Sequence, residues 1–212
     1  MTTFLSSAGS EAAAQSFEEI SYETEDGATI VANVYGNGEH AVLLAHGMVF
    51  DKESWHAQAA ALAEAGYRVL AIDFRGYGNS TSGSQGRALH LDVLGGIRYL
   101  RETGALRVSV IGGSMGGGAA GEAAVTAGSD EIDKLVLLAA VPVADPERLQ
   151  GDKLFIVSEG DSFHDAVQQQ YRRAPDPKRL VVLQGSAHAQ HIFRSRERGT
   201  ELMTTILEFL AD

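Results

Sequence analysis

Residues Gly112-Gly-Ser-Met-Gly116 lie between two segments of opposite character. Before them, Arg107-Val-Ser-Val-Ile111 reads as a short buried strand. After them, Met115-Gly-Gly-Gly-Ala-Ala-Gly-Glu-Ala-Ala-Val125 reads as a helix that begins on small residues. G-x-S-x-G at such a junction has a mechanical meaning. A sharp strand-to-helix turn brings backbone against backbone, the flanking glycines leave out the Cβ atoms that would collide, and the serine hydroxyl stands exposed at the strand end. The reading makes Ser114 a nucleophile. In a chain with 24 glycines the pattern alone arises by chance on the order of 0.2 times, so the surrounding sequence has to decide.

From residue 17 onward, strand and helix signals alternate. Segments 17–22 and 28–35 mix polar and apolar residues and flank Glu25-Asp26-Gly27, as a hairpin with one wet face does. The runs at 41–45, 67–72, 108–111, 134–141, 153–157 and 179–183 are short and continuously apolar. This is how strands of a parallel sheet read when both faces are covered. Helical patterns fall between them. One covers 54–64 and stops at Ala65-Gly66. A second repeats Leu89, Val93, Ile97 and Leu100 before Gly104, and others cover 165–173 and 201–210. The expected fold class is α/β, a doubly wound, mostly parallel sheet with helices on both faces. Residues 15–212 are expected to form one domain.

Bulk properties exclude several classes. The net charge is −11 with no basic cluster, which argues against nucleic-acid and anionic-membrane partners. No cysteine is present, so disulfides, thiolate nucleophiles and cysteine metal sites are ruled out. No metal or other cofactor is implied. Residues 1–14 lack a basic start and an apolar core. They read as a loosely ordered tail rather than a signal peptide, and the expected location is cytoplasmic. The oligomeric expectation is a monomer or weak homodimer.

A serine nucleophile needs a base, a group to orient the base, and donors for the oxyanion. The run 179–183 leads into Gln184-Gly-Ser-Ala-His188, which puts His188 beyond a strand's carboxyl end, where α/β sheets carry their sites. His191 is the rival base, closer to the following helix. The run 153–157 leads into Ser158-Glu-Gly-Asp-Ser-Phe163. Asp161 is the candidate acid, with helix capping as its structural counterpart role, and Glu159 and Asp145 stand behind it. Oxyanion donors are expected from the amides of Met48, freed to turn by Gly47, and of Met115. His46 fits a ring that organises its loop. Met48, Val49 and Phe163 are the candidate substrate contacts. Loops 48–50, 77–85 and 142–143 are expected to complete the walls.

His46-Gly47, Trp55, Ala71-Ile-Asp-Phe-Arg-Gly-Tyr-Gly-Asn-Ser80, Gly112–Gly116, Gly160-Asp161 and Ala187-His188 together resemble the α/β-hydrolase superfamily from about residue 17 to 212. The chain order Ser, Asp, His is the one that fold uses. In such proteins the segment at 73–80 is structural, so Asp73, Arg75 and Ser80 receive no catalytic role. A serine at the elbow, where dehalogenase-like and epoxide-hydrolase-like members carry aspartate, implies acyl chemistry. The expected substrate is a small-molecule carboxylic ester. A thioesterase, a lactone hydrolase, an acyltransferase, or a non-catalytic ligand-binding protein of the same fold are the other readings. Water, peroxide or an alcohol could accept the acyl group. Many members insert a cap before the strand at 153–157. Here residues 142–152 are too few for a multi-helix cap, which implies an open site.

Overall fold

The structure is a computed structural model that describes residues 16–212. The tail expected at 1–14 lies outside the described residues. Eight strands form one sheet: β1 (Phe17–Glu23), β2 (Thr29–Tyr35), β3 (His40–Ala45), β4 (Arg68–Ile72), β5 (Arg107–Gly113), β6 (Lys134–Leu138), β7 (Asp152–Ser158) and β8 (Lys178–Leu183). Five α-helices connect or follow them: α1 (His56–Glu64), α2 (Leu89–Glu102), α3 (Met115–Thr126), α4 (His164–Arg173) and α5 (Arg196–Ala211). The spatial order is β1-β2-β4-β3-β5-β6-β7-β8. The β1–β2 hairpin joins antiparallel to β4, and every pairing from β4 to β8 is parallel.

The winding reverses after β4. With right-handed crossovers this places α1 on one sheet face and α2, α3 and α4 on the other. Helix α5 joins α1, and the 3-10 turns that lead into the two meet through the Trp55 and Phe193 rings, with centroids 6.0 Å apart. Buried Val42, Leu43, Leu44, Val110, Leu135, Val136, Leu154, Phe155 and Ile156 fill the layer between sheet and helices. Because these strands are parallel, the chain leaves β3, β5, β7 and β8 at the same edge, and all the candidate catalytic loops gather there.

Two boundaries and the burial of one strand differ most from the sequence reading. Strand β6 ends at Leu138, before the apolar run stops at Val141, because Ala139 takes a positive φ of 41° and turns the chain. Helix α5 starts at Arg196, five residues ahead of the expected position, with the Ser195 side chain accepting the Arg198 amide as an N-cap. Its first turn is polar, so apolar spacing alone does not reveal it. Strand β8 is an edge strand with Arg179 and Val182 exposed, and is not covered on both faces. Residues 139–151 hold a single 3-10 turn at Pro146–Arg148, so no helical cap stands between β6 and β7.

Two buried ion clusters tie the loops beyond the sheet. The Arg75 guanidinium contacts Asp26 at 2.8 Å and Asp92 at 2.7 Å, with all three side chains buried. It holds the Asp26 carboxyl far below the usual range. Removing one partner from such a set leaves an uncompensated buried charge, at a cost of about 3–5 kcal/mol. Lys52 donates to Asp73 at 2.9 Å from its ammonium and at 2.8 Å from its amide. Thus the segment at 73–80 is a clamp: Ser80 Oγ donates to the Asp73 carbonyl and accepts the Val31 amide.

At the opposite edge, His40 opens β3 in a buried position, with Nε2 2.8 Å from Ser109 Oγ. Burial, reinforced by Arg107, lowers its pKa from 6.5 to about 4. The unfolded chain takes up this proton near 6.5, whereas the fold keeps the ring neutral. The unfolded state therefore binds more protons in that window, and stability falls as pH drops from 6.5 towards about 4. Thermal midpoints measured across this window should fall for the wild type and fall less steeply for His40→Gln. Some slope remains, because the buried His46 ring is also depressed.

Candidate active site

The elbow is held by close packing. A methyl at Gly112 would lie 2.4 Å from the Gly116 carbonyl oxygen, and one at Gly116 would lie 2.3 Å from that of Ala45 and 2.5 Å from that of His46. The motif glycines are required by these approaches; the positive φ falls on the serine itself. Ser114 has φ 53° and ψ −114°, a conformation costing a non-glycine residue about 1–3 kcal/mol. Its amide donates to the Leu138 carbonyl at 2.9 Å, and its carbonyl accepts the Gly118 and Val141 amides at 3.0 Å each. Neighbouring backbone on both sides thus maintains the strain. The other positive-φ non-glycine residues among those described are Ala139, after β6, and Ala189, next to His188. All three sit at the same sheet edge.

The structure brings Ser114, His188 and Asp161 together across gaps of 74 and 27 residues. His188 Nε2 is 2.8 Å from Ser114 Oγ, and His188 Nδ1 is 2.8 and 3.0 Å from the two Asp161 oxygens. Because a carboxylate only accepts, Nδ1 carries the ring proton and Nε2 presents its lone pair to the hydroxyl. Asp161 is 1% exposed at its side chain and His188 32%. The Phe163 ring stacks obliquely on His188, with centroids 5.0 Å apart.

Asp161 also accepts the Phe163 amide at 2.8 Å. It therefore closes a turn ahead of α4, although the residue directly before that helix is Phe163, which makes no side-chain cap. The Asp161 and His188 loops are zipped beyond the ends of β7 and β8. Glu159 donates to the Leu183 carbonyl and Gly160 to that of Gly185, both at 2.8 Å, and Ser158 Oγ donates to the Ala187 carbonyl at 2.7 Å. The other candidates lie elsewhere. Glu159 and Asp145 are exposed, the latter at the start of the 3-10 turn. The His191 ring packs on Phe50, with centroids 4.9 Å apart, and burial together with Arg194 lowers its pKa.

The loop after β3 lies against the elbow. The buried His46 Nε2 accepts the Phe74 amide at 3.2 Å, so its Nδ1 carries the proton and donates to the Gly47 carbonyl at 2.9 Å. Burial favours this neutral ring. Phe50 donates to the same Gly47 carbonyl at 3.0 Å. In a planar trans peptide the following N–H points opposite to the C=O. The Met48 N–H therefore points away from the buried ring. Met115 is the first residue of α3, where helix geometry leaves amides without intrahelical acceptors. Tyr77 joins the two methionines, with its hydroxyl 3.0 Å from the Met48 carbonyl and 3.7 Å from Met115 Sδ.

The walls differ in one respect from the sequence reading. Met48 is 63% exposed, Val49 76% and Val141 40%, and Pro142 is also open to solvent. Val143 is buried against Gly121, so of the residues expected at 142–143 only Pro142 is open to solvent, next to Val141. Sequence reading missed Gln190, whose amide bridges the His188 loop to the loop after β3. Its partner Gly47 is 143 residues away, and no local pattern marks the pair.

Residues 40–160 match the family model for the alpha/beta hydrolase fold. The chain belongs to that family. Among curated relatives, the non-heme haloperoxidase of Rhodococcus erythropolis is 28% identical over 142 residues, which is 67% of this chain and 52% of the relative. The bifunctional esterase/perhydrolase DCH of Acinetobacter calcoaceticus is 34% identical over 123 residues, 56% of this chain and 44% of the relative. The chain spans about half the length of these relatives. Among solved structures, an esterase of Pyrococcus furiosus superposes with a TM-score of 0.81 at 18% identity, covering 99% of this chain and 96% of that one. At this identity the likeness concerns the fold. Among the described residues of this α/β hydrolase, no helix is long and apolar enough to cross a membrane.

The packing at the elbow is directly testable. Gly116→Ala should destabilise the fold by about 1–3 kcal/mol, because its methyl meets backbone that cannot rotate away. Urea unfolding of the variant against wild type measures the difference.

Proposed function

We propose that this chain is a serine hydrolase acting on carboxylic esters through an acyl-enzyme. The observation that carries the reading is the continuous line from the Asp161 carboxylate through the His188 ring to Ser114 Oγ, with both links at 2.8 Å. Ser114 Oγ attacks the ester carbonyl carbon as its proton passes to His188 Nε2. The carbonyl π pair moves onto oxygen, where the amides of Met48 and Met115 donate to the developing charge. Asp161 stabilises the imidazolium. His188 then protonates the departing alkoxide, and the alcohol leaves as the acyl-enzyme forms. Water, deprotonated by His188, attacks the acyl carbon. Collapse returns the proton to Ser114 and releases the acid.

The site's surroundings support a small-molecule substrate. Residues 139–151 raise no helical cap over it, and exposed Met48 and Val49 with the Phe163 ring offer apolar surface beside the serine. Small or extended esters suit this open edge better than an enclosed long-chain lipid. Thioesters and lactones use the same steps with another leaving group. The named activity of the Acinetobacter relative favours a second reading, in which hydrogen peroxide replaces water as acyl acceptor. The acyl-enzyme then yields a peracid.

Short-chain aryl esters with a fluorophosphonate label test the proposal. Wild type should turn over ester and take the label at Ser114, and Ser114→Ala should do neither. His188→Gln and Asp161→Asn should each lower kcat/KM by on the order of 10⁴-fold, with the double variant little worse than either single one. Labelling without turnover would point to a different acyl group or acceptor, and hydrogen peroxide is the first to add. A folded wild type that neither labels nor turns over would support the ligand-binding reading instead. Full activity in Asp161→Asn would mean that His188 works without a charged partner and would remove the acid from the proposed triad.

A further inference from the structure

Gly47 stands between two peptide planes, and three side-chain or backbone groups hold them. The plane that ends in the Gly47–Met48 amide is fixed by the Gly47 carbonyl, which accepts from His46 Nδ1 at 2.9 Å and from the Phe50 amide at 3.0 Å. The preceding plane is fixed by Gln190, whose Oε1 accepts the Gly47 N–H at 2.7 Å. Gln190 is buried, and its amide nitrogen donates to Ser54 Oγ at 2.8 Å. Ser54 Oγ in turn donates to the Asp51 carbonyl at 2.5 Å. The Gln190 amide is thereby fixed in orientation: the oxygen must face Gly47 and the nitrogen Ser54. Its stem lies beside the elbow, since a methyl on Gly113 would be 3.5 Å from Gln190 Cγ and Oε1. Gln190 also follows the proposed base by only two residues.

We propose that Gln190 is a positioning residue that immobilises Gly47 and so aims the Met48 N–H at the oxyanion formed on Ser114's substrate, coupling the placement of that donor to the placement of His188. This rests on the serine-hydrolase reading above. The physical reason is the identity of residue 47. Glycine has the widest backbone freedom of any residue, and an oxyanion donor contributes only when it is already oriented as charge develops. The His46 and Phe50 bonds hold the plane after Gly47 only, and without Gln190 the plane before it is free to turn about the glycine, so the donor would spend its binding energy on ordering the loop. With the Gly47 N–H engaged by Gln190, the loop presents the next amide, that of Met48, to the oxyanion.

Gln190→Met keeps the length of the side chain and deletes both hydrogen bonds, whereas Gln190→Glu keeps an acceptor for the Gly47 N–H. Four measurements are made on the full chain: ester kinetics with a pH profile, the fluorophosphonate labelling rate at Ser114, affinity for a trifluoromethyl ketone that forms an oxyanion adduct, and hydrogen exchange of the glycine amides. Gln190→Met should lower kcat and the labelling rate roughly 10- to 100-fold and weaken the ketone in parallel. KM and the pH midpoint should stay fixed, and exchange of the Gly47 amide should accelerate. Gln190→Glu should restore the Gly47 amide protection and recover only part of the rate, because its carboxylate opposes the developing oxyanion and leaves Ser54 Oγ without a donor. Parallel loss of rate and a rise in KM, or a shifted pH midpoint, would mean that Gln190 acts on substrate binding or on His188 and would overturn the role. A wild type that labels, beside a Gln190→Met variant of undiminished rate, overturns it alone. A wild type that does not label sinks the serine-hydrolase reading, and this role falls with it.

Discussion

Helix α3 starts against the ends of β3 and β5 at distances that exclude even a methyl group, and the rest of the site depends on that contact. The carbonyl oxygens of Ala45 and His46 occupy the space where a Gly116 side chain would begin, and the Gly116 carbonyl occupies that of Gly112. Such packing forces the chain to turn within a single residue, and that residue is Ser114. Its positive φ is the cost of the turn. Three hydrogen bonds from β6, from the chain after it and from α3 keep the serine there, so the strain persists in a rigid surround, as strained functional residues require.

Rigidity extends outward from the elbow along the same sheet edge. Asp161 and His188 are held by a backbone zipper between their loops as well as by each other. The loop after β3 is held by His46, by Gln190 and, through Met48, by Tyr77. Further out, Arg75 and Lys52 lock the segment at 73–80 to β1–β2 turn residues and to the 3-10 turn at Lys52–Trp55. The Arg75, Lys52, His46 and Gln190 anchors are buried polar or ionic contacts whose loss leaves an unsatisfied partner, and the Tyr77–Met48 bond lies at the exposed rim. Apolar packing carries the sheet and helices; polar anchoring carries the loops. A site built from loops alone would be mobile, and this one is assembled from loops with fixed ends and fixed middles.

Much of this was legible in the chain. The α/β class follows from apolar runs alternating with helical periods, and Ser114, Asp161 and His188 were each located by standing just past a strand. That works because a parallel sheet puts all such positions on one edge, so sequence position maps directly onto space. Where local pattern and tertiary context part, the reading fails. Apolarity through Val141 could not show that Ala139 turns the chain after Leu138. The apolar run at 179–183 could not show that β8 has a neighbour on one side only. The polar start of α5 carries no apolar stripe because Arg196 and Glu197 are exposed and the buried position of its first turn is Gly199.

The sequence by itself determined the fold class, the position of the elbow and the order of the three candidate catalytic residues, because these depend on periodicity and on small-residue spacing within single segments. Only the tertiary structure decided which carboxylate faces the His188 ring, how the His46 ring is protonated, and that Gln190 grips Gly47 from 143 residues away. Those facts are relations between segments. A hydrogen bond needs its donor and acceptor within about 3 Å in a favourable direction, and no local property of either residue encodes where the other will be until the sheet has closed between them.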